Sequence, residues 1–125
     1  MTSINESSYK NITANERILF DALQEVAIKL EDSNENPVSL SLYLWDYGIR
    51  DPEAKSKLIK ATIEVILSAK DSMKLTLADF HSQFSKVIDG LSDVEEERQF
   101  IIYTVTWIGL NIFPSAYPVA NNLDE

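Results

Sequence analysis

From residue 13 onward, apolar side chains return every three or four positions: Ile18, Leu19, Ala22, Leu23, Val26, Ala27 and Leu30. That period places them on one broad side of an α-helix and predicts a stripe facing the core. Thr13-Ala14-Asn15-Glu16 opens the helix as a capping box, with the threonine hydroxyl on the Glu16 amide and the Glu16 carboxylate reaching back. The helix is expected to run to about Glu31 and to end in the polar stretch Asp32-Ser33-Asn34-Glu35.

The next segment carries two signals. Val38, Leu40, Leu42 and Leu44 alternate with Ser39, Ser41, Tyr43 and Trp45, which is a strand period. Asn36-Pro37 nevertheless makes a good N-cap and first-turn proline, and Gly48 a good residue past the C-terminus. A lone strand would have no partner elsewhere in the chain, so a helix is expected over 37–47.

Three further helices follow. Asp51-Pro52-Glu53 opens the third, whose apolar face is Leu58, Ile59, Ala61, Thr62, Val65, Ile66 and Ala69. Thr76 caps the fourth, with Leu75 and Phe80 spaced as a hydrophobic staple and Gly90 ending it. Ser92-Asp93-Val94-Glu95 reads as another capping box for the fifth, which Phe113-Pro114 stops after about Ile112. That last helix has two apolar faces, Val94-Ile101-Val105-Ile108-Ile112 and Phe100-Tyr103-Trp107-Leu110, so it is expected at the centre of the fold. Residues 1–12 read as a flexible arm and 115–125 as an extended tail. The expected architecture is all-α: one domain over 1–125, an antiparallel bundle of about five helices.

Composition agrees with that picture and narrows the chemistry. The chain has 125 residues, 45% of them hydrophobic, which suits one domain with a real core. It has no cysteine, which excludes disulfides, thiol catalysis and thiolate metal sites and fits a cytoplasmic setting. No charged segment followed by an apolar one opens the chain, so no signal peptide is expected. The apolar run from Phe100 to Phe113 is interrupted by threonines, Gly109 and Asn111, so no membrane partner is expected. A formal net charge of −9 repels phosphate backbones, and Lys55, Lys57 and Lys60 are flanked by Glu53 and Glu64, so no nucleic-acid partner is expected either. The charge suits a basic protein.

Nothing in the sequence assembles a reaction. His81 is the single histidine, and Asp79 stands about 200° away around the helix at ~100° per residue. No nucleophile elbow, P-loop or zinc-protease motif is present. Glu95, Glu96 and Glu97 diverge around a helix, and Glu31, Asp32 and Glu35 lack the ligand spacing of a calcium loop. No enzyme activity, cofactor or metal is expected.

Recognition surfaces are more promising. Asp21, Gln24, Glu25, Ile28 and Asp32 fall opposite the predicted apolar stripe, setting one isoleucine in an acidic face. Reversing Asp21, Glu25 and Asp32 to lysine is accordingly expected to spare folding. Tyr103 and Trp107, with Glu96 at the head of the same helix, and the Asp46-Tyr47 pair near Gly48 are further candidates for partner contacts.

The stretch Lys74-Leu75-Thr76-Leu77-Ala78-Asp79-Phe80-His81 resembles the helix-opening segment of colicin-D-type self-protective immunity proteins. The chain is also similar in outline to the helical immunity partners of contact-dependent growth-inhibition toxins. The resemblance implies an inhibitor that binds a cognate cationic nuclease toxin and covers its active site or substrate surface. Another small acidic interaction module, such as an antitoxin, a phage-borne inhibitor or a subunit adapter, is the alternative.

Overall fold

Thr13 opens the first helix, α1 (Ala14–Lys29), by accepting the Glu16 amide on its hydroxyl at 3.1 Å. The computed structural model describes residues 13–124; the arm expected over 1–12 lies outside them. The helix closes with Glu31 in the left-handed region (φ 60°), which lets the Asp32 amide bond the Ala27 carbonyl. The Asn36 side-chain amide then bonds the Leu30 and Glu31 carbonyls, each at 3.1 Å. Asn36 therefore finishes α1 and does not begin the next helix.

That next helix, α2 (Leu40–Asp46), starts later than the Asn36-Pro37 signal predicts because Ser39 supplies the cap, accepting the Leu42 amide at 3.2 Å. Pro37 is buried ahead of it. The alternating run is thus helical, with Leu40 and Leu44 in the core. Helix α3 (Ala54–Ser68) follows a turn in which Asp51 Oδ1 accepts the Glu53 amide. A short 3-10 helix (Ser72–Lys74) leads to α4 (Leu77–Val87), where the Asp79 carboxylate accepts the Thr76 amide at 2.8 Å.

Helix α5 (Arg98–Asn111) begins several residues after the expected capping box. The Ser92 amide is taken by the Glu97 carboxylate at 3.2 Å, and Asp93 Oδ1 accepts the Glu96 amide, so residues 92–97 form a turn around a buried glutamate. Beyond that turn α5 meets the expectation of a central helix: Phe100 through Thr106 are all buried, as are Ile108 and Gly109.

The expected extended tail is a helix, α6 (Ala116–Leu123). Pro118 falls in its first turn, where a missing amide hydrogen costs nothing, and Val119, Ala120 and Leu123 are buried. Gly109 lets α6 lie on α5: a methyl group there would come within 2.5 Å of the Tyr117 backbone nitrogen. Arg98 Nη2 donates to the Asp124 carbonyl at 3.0 Å, and Asn122 donates to the Met73 carbonyl at 2.7 Å, tying down the far end. The result among the described residues is an all-α fold of six helices and one 3-10 turn.

Candidate functional site

The principal correction concerns α1. Of the seven residues predicted to face the core, only Ala27 is buried; Ile18, Leu19, Leu23, Val26 and Leu30 are all more than half exposed. The helix is anchored instead through Phe20 and Ala27, with the Phe20 ring 4.4 Å from that of Trp45 on α2. At ~100° per residue, that contact line divides α1 into two open sides.

On one side, Asp21, Glu25 and Ile28 share a face by their i, i+4, i+7 spacing. Ile28 is 72% exposed. Ile28, Asp32 and Asp46 converge on a cleft of about 180 Å³ between α1 and α2, together with Gln24, Leu42 and Tyr43. These three were selected from the sequence, and the fold brings them together. Asp32 has a structural task as well: its Oδ1 accepts the Val38 amide at 3.0 Å and the Tyr103 hydroxyl at 2.8 Å. Asp32→Lys would lose both acceptor contacts, which tie the end of α1 to the segment before α2 and to Tyr103 on α5, so it should cost stability, and this corrects the expectation that Asp32→Lys spares folding.

The aromatic candidates are placed differently. Tyr103 is 2% exposed and cannot meet a partner. Its ring stacks on Tyr43 at 3.9 Å, and Tyr43 in turn packs near Tyr47 and Phe100. The Tyr47 hydroxyl donates to the Glu97 carboxylate, so this aromatic row is closed by a carboxylate at each end, Asp32 and Glu97. Burial raises all three phenol pKa values above the ordinary range, and Glu97 and Asp32 push the same way. Trp107 is half-buried against the core, and Glu96 is exposed in the turn before α5. Tyr47 borders a separate depression of about 240 Å³ with Gly48 and Leu91, so it does not join the acidic cleft.

The other side of α1 was not anticipated. Leu19, Leu23 and Val26, with Phe20 and Ala27, form one wall of an open groove of about 530 Å³, and Val38, Leu42 and Trp45 form the other. Trp45 is held in place by Phe20 on one hand and by Arg50, whose guanidinium carbon lies 3.8 Å from the ring centroid, on the other. The signal for this groove was present in the sequence as surplus: α1 carries more apolar residues than one contact with a seven-residue helix can cover.

His81 sits half-buried with Nε2 2.6 Å from the Ser92 carbonyl, fastening α4 to the turn before α5. His81→Ala is therefore expected to cost about 1 kcal/mol of stability, the net value of one hydrogen bond, and to leave partner binding unchanged; thermal melting and a binding titration check both. No group of three or more histidine, aspartate or glutamate side chains among the described residues could hold a metal ion. No described helix is long and apolar enough to cross a membrane. No protein-family model, curated protein or solved structure matches the chain.

Proposed function

We propose that this protein binds a basic polypeptide on the acidic side of α1 and acts as an inhibitor of the immunity-protein kind, occluding a cationic toxin domain such as a nuclease. The observation that carries this reading is the convergence of Ile28, Asp32 and Asp46 on one cleft, continued along α1 by Asp21 and Glu25. An exposed isoleucine in an acidic surround has the make-up of an anchor with steering charges. The net charge of −9 adds a long-range attraction for a cationic surface. Carboxylates docked there would occupy ground that substrate phosphates otherwise take.

The test uses a basic protein captured from the native host and then purified. Its association rate should fall as salt shortens the Debye length below about 10 Å. Asp21→Lys with Glu25→Lys, leaving Asp32 intact, should slow association roughly tenfold with an unchanged melting temperature. Ile28→Ala should act mainly on dissociation. Association indifferent to salt and to both lysines would remove this face from the site.

A further inference from the structure

We infer that the apolar side of α1 is a self-association seam, covered in solution by α1 of a second copy of the chain running antiparallel. Leu19, Leu23, Val26 and Leu30 are spaced by four, three and four residues, the spacing of a helix surface made for another helix. Each of the four is more than half exposed in the single chain.

The seam is complementary to itself. When two such helices run antiparallel with Leu23 level with Val26 of the second copy, Leu19 falls level with the second copy's Leu30. All four layers are then apolar. Asp21 and Glu25 lie on the far side of each helix, so no two carboxylates are brought together across the contact. Among the described residues, the only charged one bordering the groove is Glu16, at the helix's opening turn and outside these layers. Trp45 and Leu42 of α2 flank the pair and widen the dry strip. A 16-residue helix offers a contact ~24 Å long, at the small end of specific interfaces, so the dimer should be weak, with a dissociation constant on the order of micromolar.

This seam and the acidic face are different sides of one helix, and salt separates them. Two copies that each carry a charge of −9 repel, so added salt should strengthen the dimer. The same salt should weaken binding of a basic partner.

Sedimentation equilibrium on the full chain should show a reversible monomer–dimer equilibrium that shifts toward dimer at high salt. Leu23→Glu, at a position open to water in the single chain, should keep the helical circular-dichroism spectrum and raise the dissociation constant about 100-fold, tenfold for each buried carboxylate. The chain has no cysteine, so introduced ones report cleanly. A mixture of Leu19→Cys and Leu30→Cys chains should give the mixed disulfide. Leu19→Cys alone should not cross-link, since its two copies would sit ~16 Å apart along the axis. A monomer at every concentration and salt overturns the proposal, whether residues 1–12 or another protein fills the groove. So does a dimer that Leu23→Glu leaves intact, or a Leu19→Cys homodisulfide.

Discussion

Phe100→Ala is expected to lower the free energy of unfolding by about 3–5 kcal/mol, a large share of a small domain's stability. Phe100 is 1% exposed, and its ring meets Phe84 edge-on at 6.3 Å, Tyr47 at 4.9 Å and Tyr43 at 6.0 Å. It therefore joins α2, α4 and α5 at one point, and none of these helices can move to fill the hole without losing its other contacts. Truncation removes the transfer energy of the ring and leaves a cavity that the neighbours cannot close. Phe100→Leu keeps most of the volume and should recover more than half of the loss. Urea unfolding of the two variants checks this. Ile18→Ala, on the open part of α1, is the matched contrast and should stay within about 0.5 kcal/mol of the parent. A Phe100→Ala loss below about 1 kcal/mol would mean that the row of rings is not the keystone of the core.

The contrast between Phe100 and Ile18 also shows what could be read from the chain and what could not. Period and capping located α1, α3 and α4 closely, because Thr13 and Thr76 act locally and need no tertiary information. The central place of α5 was legible too, since two apolar faces on one helix leave few other positions for it. What failed were decisions made at long range. The Ser92 amide had a better acceptor in Glu97 than a helical start would give it, and Glu97 was available because Tyr47, fifty positions away, donates to it. The tail became α6 because Gly109 on α5 leaves room for the Tyr117 backbone. Most instructive is α1, where the helix was read correctly and its orientation was not. An amphipathic stripe shows that a face is to be covered, but not by what. The acidic site was partly legible for the same reason: Ile28, Asp32 and Asp46 belong together only once α2 folds beside α1, whereas Tyr103 was spent on holding Asp32 from below.

That last pairing carries the second large effect, a loss of stability in alkaline solution. Tyr103 is buried, its hydroxyl donates to Asp32, and both facts favour the protonated phenol, which raises its pKa above the ordinary value near 10. Tyr43 and Tyr47 are raised in the same sense, by burial first and then by the carboxylates near them, Glu97 foremost. The folded chain thus keeps protons that the unfolded chain gives up. Stability from these phenols is fully present below about pH 10 and declines as pH rises toward the folded-state values. For Tyr103 alone the slope is about 1.4 kcal/mol per pH unit. Tyr43 and Tyr47 each add up to the same slope over the range in which the folded chain keeps their protons and the unfolded chain does not. Urea unfolding measured at a series of alkaline pH values, alongside ultraviolet phenolate absorbance, should show ionisation of these three of the five tyrosines and loss of helix as one event. Tyr103→Phe separates the contributions. It removes one of the two donors to Asp32, leaving the Val38 amide, and should cost about 1–2 kcal/mol at neutral pH, while flattening the alkaline slope by the share of one proton. Phenolate absorbance that develops in full near pH 10, with the helical spectrum intact, would show that the aromatic row does not hold its protons and that Tyr103 is not the clasp beneath Asp32.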